Sequence, residues 1–228
     1  LGSAVGLGNI WKFPFLAGTN GGAVFVFAYL VCVALVGLPV LVAELAIGRR
    51  MRKNAVTAYS QAVPRQPWWA WIGIAGAAAA FLIMAFYTDV AGWVFAYVFH
   101  SLRAFVTGSG PLTADTFAAL SGGTWQPLLW QVLALGVTVA VVSAGVSRGI
   151  ERITRILMPV LLGLLIICDV RALTLPGALE GVRFLFTPDF SRLTGTVILM
   201  ALGLSFFKLS LGMGTMTTYG SYQPDSAN

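Results

Sequence analysis

The sequence predicts an all-α polytopic membrane protein, and three observations lead there. It is 58% hydrophobic and only 10% charged over 228 residues, with a mean hydropathy of +0.86. Its apolar residues gather into runs of membrane-spanning length, and its basic residues gather in alternate connections between those runs. Fourteen basic and eight acidic residues are too few to clothe a water-soluble globule of this length, so lipid is the solvent that fits.

A helix needs roughly 20 apolar residues to cross a bilayer. Six regions qualify: residues 1–19, 23–48, 68–102, 128–144, 153–170 and 194–219. The first is expected to be incomplete at its start. The second carries one charge, Glu44, and the third is long enough to tilt or project and contains Asp89. Residues 1–228 are therefore expected to form one partial transporter-like domain, with no soluble domain, low-complexity tract or repeat of 20 to 50 residues visible.

Orientation follows from the charges. Connection 49–67 holds Arg49, Arg50, Arg52, Lys53 and Arg65, and the connection over 145–152 with its flank holds Arg148, Arg152 and Arg155. Both are expected on the cytoplasmic side of the cell membrane. Residues 107–124 and the turn Asn20-Gly21-Gly22 have neither Lys nor Arg and are expected outside. Connection 171–192 is mixed, with three arginines against Glu180 and Asp189, which weakens the asymmetry without reversing it.

A net charge of +6 raises nucleic acid as a partner, but the cations sit in short loops and form no long aromatic-interleaved tract. No nucleic-acid partner is expected; the lipid bilayer is. Cys32 and Cys168 lie inside apolar runs without metal-ligand spacing, which points to burial rather than a disulfide or zinc site. His100, the only histidine, has no evident catalytic partner, and no nucleophile or metal motif accompanies it, so an enzyme is not expected. The chain has no initiator Met or signal-peptide pattern, and five spans followed by a sixth resemble a transporter of two five-helix inverted repeats cut just after the second begins. It is expected to be a piece of a longer protein.

Two of the spans carry helix-breaking residues. Ser3 to Pro14 places Gly6, Gly8, Asn9 and Pro14 inside the first, and Leu202 to Gly214 places Gly203, Gly212 and Gly214 around Lys208 and Ser210 in the sixth. Broken backbone is tolerated at membrane depth where it lines a cavity or meets ions, so paired breaks point to a binding site near the midplane. Close helix packing through small residues is the plainer reading of either cluster alone. Ionisable residues inside spans need a partner or a wet cavity. Glu44 is read as a structural cap on the freed amides of a broken helix, Lys12 as lying near the outer mouth, and Asp89 as ambiguous.

The motifs resemble those of the neurotransmitter:sodium symporter family. Gly6 to Pro14 reads GLGNIWKFP, followed by Asn20, Gly21 and Gly22; further on come GLPVLVAELAIGR (37–49), FYTDVAGW (86–93), SRGIER (147–152), FLFTPDFSRL (184–193) and FFKLSLGMGTMTTYGSY (206–222). The resemblance covers nearly the whole chain. It implies a LeuT-type fold, here the first five-helix repeat plus the sixth helix, with the first and sixth helices broken.

The resemblance also implies a set of ligands. The carbonyls of Gly2 and Val5 would belong to one sodium site, and Ala4 with the Asn9 side chain to the other, oxygen ligands of the kind hard cations prefer. Ala4, Gly6, Leu7 and Gly8 would lie at the substrate, where main-chain donors around Leu7 and Gly8, with the Tyr87 hydroxyl, would hold a carboxylate. Ile83, Phe207, Ser210 and Met213 would shape its side-chain pocket. Monoamine-carrying members have aspartate at the position of Gly6, so glycine here implies a substrate bringing its own carboxylate: an amino acid, hydrophobic or aromatic, taken up with sodium by alternating access. A non-transporting amino-acid sensor of the same fold, and an inactive fragment, are the alternatives. Chloride dependence and oligomeric state stay open.

One residue departs from the family pattern. Lys208 stands where the resemblance leads one to expect a Thr or Ser that helps bind the first sodium, and Leu204 stands where a Gln is usual. Three roles are open to Lys208: a tethered cation in place of that sodium, a proton carrier after burial, or a snorkelling side chain that touches no ligand.

Overall fold

In the computed structural model, described for residue 6, residues 8–108, residue 110 and residues 113–223, the chain is helical, with no strand among the described residues. The helices are α1 (Phe13–Thr19), α2 (Ala23–Cys32), α3 (Leu38–Met51), α4 (Ala55–Ala62), α5 (Ala70–Thr107), α6 (Ala114–Gly122), α7 (Gln126–Ser143), α8 (Arg152–Leu173), α9 (Ala178–Phe186), α10 (Gly195–Leu209) and α11 (Thr215–Ser221). A wider π turn over Val33–Gly37 joins α2 to α3, so that Ala23–Met51 runs as one helix.

Among the described residues, four helical stretches are long and apolar enough to cross a membrane: Ala23–Met51, Pro67–Thr107, Gln126–Ser143 and Gly149–Leu173. With 38 residues, α5 is about 57 Å long at 1.5 Å per residue, well beyond a hydrocarbon core of about 30 Å. The first and sixth apolar regions are built differently, from shorter segments: Gly8–Lys12 running into α1, and α10 followed by α11. Large apolar side chains such as Leu35, Phe81 and Leu199 are each more than 70% exposed, a surface suited to lipid rather than water.

The chain divides into two compact units, residues 1–78 with 157–228, and residues 79–156. In the first unit α2 packs on α10, and Ala17, Phe25, Ala28, Cys32, Val197, Ala201 and Leu204 form its buried core. The turn between α1 and α2 depends on glycine. Gly21 and Gly22 adopt φ of 90° and 57°, and a Cβ on Gly22 would stand 2.5 Å from the carbonyl oxygen of Phe184.

The other seam of this unit pairs α3 with α11. A Cβ on Gly48 would collide with the Thr217 carbonyl, and one on Gly220 with the Leu45 carbonyl. As position advances from 45 to 48 on α3 its neighbour recedes from 220 to 217 on α11, so the two helices run antiparallel with backbones in contact at both glycines. Small residues at such crossings allow dispersion contacts that larger side chains would prevent.

In the second unit, α5 meets α7 where the Gln131 amide donates to Thr88 Oγ1 at 3.3 Å and a Cβ on Gly92 would stand 2.8 Å from the Gln131 nitrogen. Trp93 packs edge-on against Phe117 of α6, with ring centroids 5.2 Å apart.

One expectation is corrected. Cys32 is buried in the core of the first unit, but Cys168 is exposed, because α8 carries no buried residue and presents its sides outward.

Candidate functional site

The site grows from a helix that cannot continue. Ser210 ends α10 in the left-handed region, at φ 54° and ψ 39°, and Gly212 and Gly214 follow at φ 75° and 72°. Three left-handed residues within five interrupt the i to i−4 ladder, and α11 begins only at Thr215. At the near side of the break the Leu211 amide donates back to the Phe206 carbonyl at 3.0 Å. Gly212 itself donates its amide to Glu44 Oε1 at 2.7 Å, across 168 residues of chain. Glu44 is only 5% exposed, and its Oε2 is buried with no hydrogen-bond partner among the described residues.

The break is held from two further directions. Gly76, on the first turns of α5, approaches so closely that a Cβ there would stand 2.9 Å from the Gly212 carbonyl oxygen, and Gly214 would clash with Ala55. Below it, the hydroxyls of Tyr59 and the fully buried Thr217 lie 3.2 Å apart. Burial pushes the Tyr59 phenol above its ordinary pKa; the bond with Thr217 opposes that rise, and the nearby Glu44 carboxylate adds to it. The hydroxyl there is a proton-bearing partner.

Lys208 lies two residues before the break, in the last turn of α10 and half-buried. Its ammonium donates to Asn9 Oδ1, and it stands 5.3 Å from the centroid of the Phe13 ring. Asn9 belongs to the turn of wide helix over Gly8–Lys12, and its amide donates to the Gly6 carbonyl at 2.9 Å. Residues from the first and sixth apolar regions thus meet at Asn9 and Lys208.

Among the other residues singled out from the sequence, Phe207 packs against the core of the first unit, while Ser210 and Met213 are half-buried on the break. Gly8 is buried, Gly6 is exposed, and Lys12 is exposed at the end of its turn. Ile83 and Tyr87 are half-buried on α5 in the second unit. Gly2, Ala4, Val5 and Leu7 lie outside the described residues. Sequence reasoning did not foresee the Lys208 contact with Asn9, the Tyr59–Thr217 pair or the reciprocal glycines 48 and 220. Only the glycines left a trace, as small residues at the ends of apolar runs.

Comparison with known proteins gives a consistent picture. The family profile described as the sodium:neurotransmitter symporter family matches residues 1–108 and 121–228. An uncharacterized sodium-dependent transporter of Bacillus subtilis (strain 168), YhdH, is 44% identical over 230 residues, which is 100% of this chain and 50% of the relative. A second uncharacterized sodium-dependent transporter, from Haemophilus influenzae (strain ATCC 51907 / DSM 11121 / KW20 / Rd), is 36% identical over 97% of this chain and 50% of its own length. The chain spans about half the length of the curated relatives it matches. The crystal structure of MhsT in complex with L-phenylalanine superposes with a TM-score of 0.88 at 45% identity, over 99% of this chain and 52% of that one. The fold is therefore the LeuT-type fold.

Proposed function

This chain belongs to the sodium:neurotransmitter symporter family, and from that premise we propose that it serves sodium-coupled symport of a hydrophobic or aromatic amino acid across the cell membrane. The observation that carries this reading is the break over Ser210–Gly214, which interrupts the helical backbone within an apolar region and is braced by the buried Glu44. Backbone freed in this way supplies oriented amides and carbonyls to a small charged ligand and its ions. Sodium is the ion named for the family and for both relatives.

Phe207, Ser210 and Met213 are half-buried at or beside the break, and in this reading they present apolar surface and one hydroxyl to a hydrocarbon or aromatic side chain. Gly6 adds no negative charge, which suits a ligand that brings its own carboxylate; the L-phenylalanine bound to MhsT is such a ligand. In this reading Gly2 and Val5 supply oxygens to a sodium ion, Ala4 and Asn9 line a second cation position, and Ala4, Gly6, Leu7 and Gly8 hold the amino acid's backbone end. Connections 49–67 and 145–152 face the cytoplasm, with Lys12 toward the outer mouth. Alternating access then opens the same site first to one side and then to the other.

The test is uptake of a labelled amino-acid panel by the full-length protein in proteoliposomes, with and without an inward sodium gradient and with chloride replaced by gluconate. Accumulation that requires the gradient supports symport. Binding without accumulation at any gradient establishes a sensor instead.

A further inference from the structure

We propose that the ammonium of Lys208 is a resident cation of the binding site, occupying the place of one exchangeable sodium and pairing directly with the carboxylate of the bound amino acid. The inference rests on the reading of an amino acid as ligand and adds to it which group recognises the carboxylate and how many sodium ions accompany it.

The first observation is the environment of the ammonium. It is bonded to a side-chain amide oxygen, Asn9 Oδ1, and faces the ring of Phe13, both neutral groups with electron density directed at a cation. An amide oxygen is a ligand that a hard cation such as sodium also takes, and one already holding an ammonium is a poor ligand for a second cation beside it. Two unit charges about 4 Å apart repel by about 4 kcal/mol at an effective dielectric constant of 20. The ammonium and a sodium therefore compete for Asn9.

The second observation is the charge balance. Among the described residues no carboxylate stands within ion-pair distance of Lys208: the ion pairs there are Arg155 with Glu151 and Arg192 with Asp189, all exposed. Glu44, the buried acid of the same unit, accepts from the Gly212 amide through Oε1, and its Oε2 has no hydrogen-bond partner among the described residues, so it makes no ion pair with Lys208. A cation inside a membrane span without an anion is costly, and here the anion has to arrive from elsewhere. A ligand carboxylate meets that need.

The third observation is direction. Lys208 is half-buried and turned inward onto Asn9, which belongs to the first apolar region 199 residues earlier in the chain. A snorkelling lysine extends its head toward water, and the inward bond excludes that reading in this structure.

The test uses the full-length protein in detergent and two readouts. The first is the number of sodium ions bound per protein at saturation, counted with radioactive sodium in the absence of amino acid. Lys208→Thr, which replaces the ammonium with a hydroxyl ligand, is expected to bind one more sodium than the wild type, and an unchanged count would overturn the proposal. The second compares L-phenylalanine with L-phenylalaninamide, which lacks the carboxylate. Wild type is expected to prefer the acid by at least ~30-fold, and Lys208→Met to lose that preference while Lys208→Arg keeps most of it. Equal preference in wild type and Lys208→Met also overturns the proposal. Should neither compound bind the wild type, the substrate proposed above falls, and the sodium count still decides the role of Lys208.

Discussion

Glu44 and Gly212 are joined by a 2.7 Å hydrogen bond in which the main-chain amide of a broken helix donates to a carboxylate buried in another. The bond explains how an acid is kept inside an apolar span: it replaces the helical acceptor that Gly212 loses at the break. Glu44→Ala leaves that amide unpaired and is expected to cost about 1–3 kcal/mol. Glu44→Gln keeps an acceptor and is expected to recover most of the loss. Thermal melting of the detergent-purified protein checks both, and a glutamine as damaging as alanine would show that charge, not acceptance, is what the site uses.

Gly48 and Gly220 hold α3 and α11 at backbone contact. Alanine at either position pushes a carbonyl-bearing turn away, with an expected cost of about 1–3 kcal/mol. Because both glycines serve one seam, the double variant is expected to lose less than the sum of the single losses, the second substitution entering a seam already opened. Melting midpoints of the two single variants and the double variant measure this.

Among the described residues nothing stands within 4 Å of a Cβ on Gly212, but its φ of 75° is one that an L-residue adopts at a cost. Gly212→Ala isolates backbone strain from crowding and is expected to destabilise by about 1–2 kcal/mol. Gly214→Ala adds a clash with Ala55 2.6 Å away and is expected to lose more. Sodium-driven uptake, measured beside melting, shows whether the break must be kept for transport.

Among the described residues nothing stands within 4 Å of a Cβ on Gly6 either. Gly6→Asp is therefore expected to fold, and under the proposed function it places a carboxylate at the end of the site where the amino acid would bring its own. Binding of L-phenylalanine is expected to weaken by at least ~10-fold through like-charge repulsion. Calorimetric titration of the full-length variant measures it, and undiminished affinity would place Gly6 away from the ligand's carboxylate.

Much of this architecture is legible from residue order. Apolar runs of membrane length announce the long helices, because a bilayer demands about 20 residues whatever their neighbours are. The break in the sixth region is equally local: Gly212 and Gly214 supply positive φ without steric cost, so the interruption is written where it occurs. The order of the motifs, too, points to the family without reference to the tertiary structure.

What residue order could not supply is which distant groups satisfy one another. Nothing near Glu44 in the chain indicates that its acceptor role is played to Gly212, 168 positions away, nor does anything near Lys208 indicate Asn9, 199 positions away. A charged side chain inside a span announces only that a partner must exist, since leaving it alone is too costly. Which partner answers depends on how the helices cross, and those crossings are set by close contacts such as Gly48 against Thr217. Packing is collective, and it is packing that turned a list of polar residues in apolar helices into a braced break with a cation at its edge.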